Sequence, residues 1–194
     1  SQSTGPFLLP WKTLLLPEDV FDPVLSRYTK SEIQNLVNMF DPSPSGFKTF
    51  AETADLLQWD LYKNVYPLIR HLIYYKSAQV IDVPRLQNLY TIHPLFDAED
   101  LPTLNDKWQQ KFPRMVPLNK FVTALSSSLR PFASHCRALG AESVAFKMLV
   151  WLLREKVVAQ THVYLRLLIT ERDQLQAVEL RKNRRERQLG SPSH

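Results

Sequence analysis

The sequence predicts an α+β fold that is mainly helical, with two winged-helix-like units joined by a helical segment and followed by a charged C-terminal tail. Apolar residues recur at helical spacing over most of the 194-residue chain. Twice, at 61–92 and at 142–169, a helical pattern gives way to a strand pattern. A helix followed by a β-hairpin is the order found in winged-helix proteins, which are relatives of the helix-turn-helix motif.

Four segments are predicted along the chain. They are an extended connector at 1–28, a first winged-helix-like unit at 29–93, a second winged-helix-like or helical unit at 94–170, and a charged, disordered tail at 171–194. A strand is the alternative within the connector, because Leu14, Leu15 and Leu16 form an apolar run between prolines.

The first unit is predicted to begin with two short helices. Ser31 with Gln34, and Thr49 with Glu52, have the spacing of capping boxes. Apolar residues follow each pair at helical spacing, and the Pro- and Ser-rich stretch 41–46 predicts a turn between the two helices.

A third helix is predicted from Trp59 to Lys76, with Pro67 inside its apolar stripe. An interior proline removes one backbone hydrogen bond and costs roughly 3 kcal/mol. Either the helix kinks at Pro67, or it restarts with Asn64 as its cap and Pro67 in its first turn. We favour the kink.

A β-hairpin is predicted after the third helix. Residues 78–83 form one strand, residues 88–92 form its partner, and residues 84–87 form the turn. In the second unit the predicted elements are a helix from Leu101 to Phe112, an apolar stripe from Leu118 to Leu125 ended by Pro131, a helix from Glu142 to Lys156, and a strand at 157–169.

Composition excludes several classes of site. The four glycines are scattered, so no glycine-rich phosphate loop is possible. Cys136 is the single cysteine, which excludes a disulfide framework and a zinc site of CxxC type and fits a reducing compartment. No segment reaches the ~20 apolar residues of a membrane span. The chain lacks an initial methionine, and we interpret it as a fragment of a longer protein.

The candidate catalytic and metal-binding residues have structural interpretations. His135 and Cys136 are adjacent but have no third ligand or oriented base nearby, and His71 and His162 have no ligand spacing to a partner. The acidic residues Asp97, Glu99 and Asp100 are predicted to lie in a solvated loop. No catalytic, metal-binding or cofactor-binding site is predicted.

Nucleic-acid binding is the alternative function. The net charge is +5, but five basic residues and one acidic residue lie between Arg181 and Arg187, in the predicted tail. A DNA-binding fold concentrates positive charge on the docking face. The two candidate recognition helices, Trp59–Lys76 and Ala141–Lys156, lack the basic density of a major-groove reader.

Three tryptophans are predicted to be core residues, because Trp59, Trp108 and Trp151 lie on segments with apolar patterning. Trp151 is at the centre of its stripe, and its ring is predicted to bury against the following strand near Val163 and Leu165.

Several segments resemble the nitrogen permease regulator 3 family, in the same order along the chain. They are Ala54-Asp55-Leu56 through Lys76 and on to Ile81, Asn88-Leu-Tyr90, Asp100-Leu-Pro102, Met148 through Arg154, and Val157 through Tyr164. The most specific stretch is Trp151-Leu-Leu-Arg154 followed by Gln160-Thr-His-Val-Tyr164. The sister family, nitrogen permease regulator 2, shares the winged-helix part and is the alternative.

The resemblance implies a non-catalytic scaffold subunit of a heterotrimer that stimulates GTP hydrolysis by Rag-type small GTPases. This assembly is the inhibitory half of the SEA complex in yeasts and a GATOR complex in animals, and it inhibits the target-of-rapamycin kinase when amino acids or nitrogen are scarce. The implied partners are a nitrogen permease regulator 2-like subunit, the large DEP-domain subunit and, through the complex, the GTPases. The implied location is cytoplasmic, at the vacuolar or lysosomal membrane. The family's catalytic arginine belongs to the sister subunit, and no cofactor is implied.

Overall fold

The computed structural model describes residues 7–17, 30–40 and 42–161. Over these residues the fold is α+β and mainly helical, with small sheets. The α-helices are α1 (Lys30–Asn38), α2 (Phe50–Leu57), α3 (Tyr66–Lys76), α4 (Leu101–Lys111), α5 (Leu118–Ser127), α6 (Phe132–Ala138) and α7 (Ala145–Arg154). The strands are β1 (Thr13–Leu15), β2 (Gln79–Ile81), β3 (Leu89–Ile92) and β4 (Val158–Thr161).

The strands pair differently from the predicted hairpin. β2 pairs antiparallel with β1, and β3 pairs antiparallel with β4, so the predicted pairing of 78–83 with 88–92 is wrong. A two-residue hairpin loop needs positive φ, and a three-residue loop usually contains one left-handed residue. Residues 84–87 contain no glycine, and the positive-φ residues of the described chain all lie elsewhere. In the sequence, helices α1 to α3 lie between the two strands of the first pair, and helices α4 to α7 lie between those of the second pair.

Strand β1 lies between two hydrophobic cores. Leu14 and Leu16 belong to the first core, whereas Leu15 belongs to the second. Successive side chains of a strand point to opposite faces, so a run of three leucines can serve both cores. The alternative interpretation of this part of the connector as a strand is confirmed for Thr13–Leu15.

The first core is formed by β1 with helices α1 to α3. Its buried residues are Leu14, Leu16, Leu36, Phe40, Phe50, Ala54, Val65, Tyr66, Leu68, Ile69, Leu72 and Ala78. The Thr49–Glu52 capping box is confirmed: the amide of Glu52 donates to the Thr49 hydroxyl, and the Thr49 amide donates to the Glu52 carboxylate. Ser31 lies inside α1, because that helix begins at Lys30.

The helical path continues through Pro67. A π turn over Leu61–Val65 runs directly into α3, and Pro67 lies in the first turn of that helix. The carboxylate of Asp60 caps the π turn by accepting from the amides of Tyr62 and Lys63. A π turn widens the backbone where the proline ring would otherwise clash with the preceding turn. The alternative with Pro67 in a first helical turn therefore describes its position, but its cap is wrong, because Asn64 lies inside the π turn and Asp60 provides the cap.

The second core is formed mainly by helices α4 to α7. Helix α7 contributes eight buried residues of its ten. The predicted helices near 101–112, 118–125 and 142–156 are confirmed, although the last begins as a short 3-10 turn at Glu142–Val144. Helix α6 was not predicted, since Pro131 was interpreted as a break, whereas it is the residue that precedes the helix.

Trp151 is buried, as predicted, with 6% of its surface exposed. Its ring packs against Trp108 at a centroid distance of 5.3 Å and against Phe112 at 6.4 Å. The predicted neighbours Val163 and Leu165, the strand beyond Thr161 and the charged tail lie outside the described residues.

Candidate functional site

His135 and Cys136, the adjacent candidate pair, lie on α6 and point into the second core. Both are buried, at 2% and 0% exposure. Burial, with a smaller effect from Glu142, raises the pKa of the Cys136 thiol to about 12. Burial, with a smaller effect from the Arg130 guanidinium, lowers the pKa of His135, although a hydrogen bond with the Ser128 backbone opposes the change. A thiol that stays protonated is a poor nucleophile, so the pair has the properties of core residues.

The remaining candidate histidines and carboxylates also have structural surroundings. His71 lies on α3, with its ring 4.4 Å from that of Tyr75. Asp97 accepts a hydrogen bond from the Glu99 amide and caps the 3-10 turn Ala98–Asp100. Within the part of the chain that the structure describes, no three His, Cys, Asp or Glu side chains are grouped to hold a metal ion. His162 lies outside that part.

The helices that would read DNA in a winged-helix protein are not free for that task in the second unit. In α7 the side chains of Met148, Leu149 and Leu152 are at most 1% exposed. In the first unit, Lys63 and Arg70 are exposed, but Asp60 beside them caps the π turn. Helix α7 is therefore a core element rather than a groove-reading helix.

Two of the three candidate tryptophans are core residues. Trp108 is fully buried and donates from Nε1 to the carbonyl oxygen of Val116 at 2.9 Å, and its ring contacts Trp151. Trp59 is half-buried and packs against the edge of the first core. Trp11, in contrast, is 60% exposed.

Exposed aromatic side chains surround the first core. Tyr62, Tyr74 and Tyr75 on the π turn and α3 are 71%, 80% and 56% exposed. Sequence inspection did not select them. The adjacent pair Tyr74 and Tyr75 was a usable signal, because neighbouring residues on a helix point about 100° apart and only one of them can face a narrow apolar stripe. Large exposed aromatics of this kind are typical of protein interfaces.

Arg130, the loop arginine between α5 and α6, is exposed, and its Nε donates to the Ser128 hydroxyl at 2.8 Å. The basic run from Arg181 to Arg187 lies outside the described residues. Among the described helices, none combines the length and apolarity required to cross a membrane.

Comparison with known proteins identifies relatives over most of the chain. The family model described as "Nitrogen Permease regulator of amino acid transport activity 3" matches residues 1–174. The Schizosaccharomyces pombe nitrogen permease regulator 3-like protein is 29% identical over 178 residues, which is 92% of this chain and 30% of that protein. Nitrogen permease regulator 3 of Aspergillus oryzae is 29% identical over 123 residues, covering 63% of this chain and 17% of that protein.

A third relative also has the name nitrogen permease regulator 3. Nitrogen permease regulator 3 of Aspergillus fumigatus is 30% identical over 119 residues, 61% of this chain and 14% of that protein. The chain spans less than a third of the length of each of these relatives. Since the family model covers most of the sequence, the chain belongs to the nitrogen permease regulator 3 family.

Proposed function

We propose that the chain is a non-catalytic scaffold part of a GTPase-activating heterotrimer for Rag-type small GTPases. The assembly would inhibit target-of-rapamycin signalling when amino acids or nitrogen are scarce. The observation that carries the proposal is the family match over residues 1–174, which supports a regulator of nitrogen and amino-acid signalling. The proposed partners are a nitrogen permease regulator 2-like subunit and the large DEP-domain subunit, with the GTPases reached through the complex. The proposed location is the cytoplasmic face of the vacuolar or lysosomal membrane.

The surroundings of the candidate catalytic residues support a scaffold role. The thiol of Cys136 is buried in the second core and stays protonated, and His135 beside it is equally buried. These groups stabilise the fold rather than face a substrate. Regulation by this chain would then depend on the surfaces that it presents to its partners.

We also propose that the chain contains two winged-helix-like units, at residues 29–93 and 94–170. Helices α1 to α3 lie between the paired strands β1 and β2, and helices α4 to α7 lie between the paired strands β3 and β4. The succession of short helices within each unit, together with a strand pair, supports this assignment.

Co-purification of the full-length parent protein with the nitrogen permease regulator 2-like subunit tests the scaffold role. We expect a stable complex in which Tyr74→Ser with Tyr75→Ser weakens association without changing the unfolding midpoint. Leu95→Ser is the control, because Leu95 is 82% exposed, close to the 80% of Tyr74, but lies in the segment between β3 and α4 rather than on α3. Failure of the two full-length proteins to co-purify would refute the proposal.

A GTP hydrolysis assay with the chain and a Rag-type GTPase tests the non-catalytic part. We expect no stimulation by the chain alone. Stimulation that is lost in Arg130→Ala would show that the exposed loop arginine acts as a catalytic group, and it would overturn the assignment.

Nucleic-acid binding is the second candidate function, because the chain has a net charge of +5, although much of that charge lies at 181–187. Titration of duplex DNA at about 50 and about 200 mM salt distinguishes nucleic-acid binding from the scaffold role, because counterion release makes phosphate binding strongly dependent on salt. Tight binding that weakens steeply with salt would support the second candidate, and no binding would dismiss it.

A further inference from the structure

We propose that the exposed side of the π turn and helix α3 is a docking surface for an acidic segment of a partner protein. This side, which we call the tyrosine face, is formed by Tyr62, Lys63, Arg70, Tyr74 and Tyr75. The three tyrosines are 71%, 80% and 56% exposed, and both basic side chains are exposed as well. The chemistry of this surface defines the partner segment independently of the scaffold role proposed above.

The tyrosine face lies opposite the side of α3 that packs in the first core. The side chains on the core side are at most 1% exposed, and they are Leu68, Ile69 and Leu72. Since a helix has 3.6 residues per turn, Arg70 and Tyr74 are directed away from that side. The first core therefore leaves these side chains available to a second surface.

The members of the tyrosine face are neighbours. Residues four apart lie side by side on a helix, which places Arg70 next to Tyr74. The ring centroids of Tyr74 and Tyr75 are 4.7 Å apart. One turn earlier, the ring of Tyr62 packs against that of Tyr66 at a centroid distance of 5.4 Å. The aromatic and basic groups thus form one continuous surface.

The area of this surface suits a protein partner. A tyrosine buries about 150–250 Å² when it is covered. The three exposed rings together therefore supply about half of the roughly 800 Å² that each partner contributes to a stable interface.

The charge of the face defines the partner segment. Residues 61–76 contain three basic residues and no acidic residue. The preceding carboxylate, that of Asp60, accepts hydrogen bonds from the amides of Tyr62 and Lys63. Of the ion pairs between residues that the structure describes, none includes Lys63 or Arg70. Guanidinium, ammonium and phenol groups all donate hydrogen bonds, so the face complements carboxylates.

An acidic protein segment fits the face better than nucleic acid or a membrane does. Nucleic-acid binding depends on the neutralisation of many phosphates, whereas the exposed cations of this face are Lys63 and Arg70. A helix that lies on a membrane inserts a broad apolar side, but the aliphatic residues of α3 face the core. Tyrosine and arginine are the residues that protein interfaces favour, and rings that exclude water strengthen an arginine–carboxylate pair.

Selection from a displayed library of random dodecapeptides on the whole chain tests the chemistry of the partner segment. A parallel selection uses the double variant Lys63→Gln with Arg70→Gln, and substitutions at such exposed positions change stability little. We expect the parent chain to enrich peptides that combine aspartate or glutamate with leucine or aromatic residues, and the double variant to lose this enrichment. Acidic peptides that bind other basic parts of the chain are enriched equally on both proteins. Because the assay uses the chain alone, its outcome is independent of the proposed GTPase-activating assembly.

Titration of one selected peptide, followed by fluorescence anisotropy, locates the binding. Arg70→Gln should weaken it about tenfold or more, because a charge-assisted hydrogen bond is lost. Tyr74→Ser should weaken it about three- to tenfold through the loss of a buried ring. Arg114→Gln is the matched charge control, since Arg114 is also exposed but follows α4, and it should bind within about twofold of the parent chain. An increase from about 50 to about 200 mM salt should weaken binding to the parent chain several-fold.

Several results would overturn the proposal. They are no enrichment on the parent chain above the double variant, enrichment of peptides without acidic residues, or unchanged binding in both Arg70→Gln and Tyr74→Ser. Binding to phosphatidylserine vesicles or to oligothymidine that depends on Arg70 and Tyr74, in place of binding to acidic peptides, would assign the face to a membrane or to nucleic acid. If Tyr74→Ser lowers the unfolding midpoint, the comparison of Arg70→Gln with Arg114→Gln decides.

Discussion

The two cores differ in the side chains from which they are built. The second core contains a network of rings in which Trp108 contacts Phe112, Phe121 and Trp151. The first core is mainly aliphatic, and the tyrosines Tyr62, Tyr74 and Tyr75 remain at its surface. Both cores contain ring contacts, since Phe50 packs against Phe40 and Tyr66 in the first, but the first region also exposes large tyrosine rings. We infer that the second core stabilises the fold and that the first region presents more of the surface available to partners.

Trp108→Ala should produce the largest loss of stability. Trp108 is fully buried, and its Nε1 donates to the Val116 carbonyl at 2.9 Å. Removal of such a ring leaves a cavity and costs about 3–5 kcal/mol. Urea denaturation of the variant and of the parent chain measures this loss in the free energy of unfolding. Trp11→Ala is the control, because Trp11 is 60% exposed and its loss should change stability by about 0.5 kcal/mol or less. Equal effects in the two variants would contradict the assigned role of the ring network.

Leu14→Ala and Leu15→Ala test whether the cores can be distinguished. The two leucines are adjacent and almost fully buried, but Leu14 packs in the first core and Leu15 in the second. Each truncation should cost about 2–4 kcal/mol. Hydrogen exchange should show the first change mainly at amides near Leu36 and Leu72, and the second near Leu149. Identical exchange patterns would show that the cores open only together.

The pH dependence of stability should arise partly in the second core. Burial lowers the pKa of His135 in the folded chain, so the unfolded chain binds a proton first as pH falls below about 6.5. Stability is then lost as pH falls from that value towards the folded pKa, with a slope of at most ~1.4 kcal/mol per pH unit. His135→Gln should remove this contribution. Parallel stability curves for the variant and the parent chain between pH 7.5 and 5 would contradict the prediction.

The Thr49 cap should give a smaller effect, confined to the first core. Thr49→Ala removes the acceptor for the Glu52 amide and should cost about 1 kcal/mol. Glu52→Gln is the matched control, since glutamine can also reach back to the Thr49 amide. Thermal unfolding of the three proteins measures the difference. A Glu52→Gln variant as unstable as Thr49→Ala would show that the carboxylate charge, rather than the cap geometry, stabilises α2.

Local patterns predicted the helices better than they predicted the strand partners. The Thr49–Glu52 box, α4, α5 and the buried stripe of α7 are encoded by residues within a few positions of one another, and each was predicted. The partner of β2 lies more than sixty residues earlier, at β1, and no local spacing marks that pairing. Helix α6 was missed because Pro131 ends one pattern and begins the next, as proline is tolerated at a helix start.

The prediction of the candidate site shows the same limit. His135 and Cys136 were interpreted as structural residues, and they are core residues. The exposure of the tyrosines depends on which side of a helix remains uncovered. Packing between residues far apart in the sequence determines which side remains uncovered. The spacing of apolar residues alone therefore could not predict it.

The smallest predicted effect concerns the ion pair that joins β1 to β2. Lys12 and Asp82 are 2.8 Å apart, and their side chains are 25% and 24% exposed. A partly exposed pair of this kind gives a coupling energy of about 0.2–1 kcal/mol in a double-mutant cycle, and salt reduces it. The cycle uses Lys12→Ala, Asp82→Ala and the double variant at low and high salt. Because the pair lies at the end of the sheet beside the first core, the Trp108 ring network should be unaffected, and fluorescence of the buried tryptophans should stay constant. A coupling that is insensitive to salt would show that the pair is more deeply buried in solution.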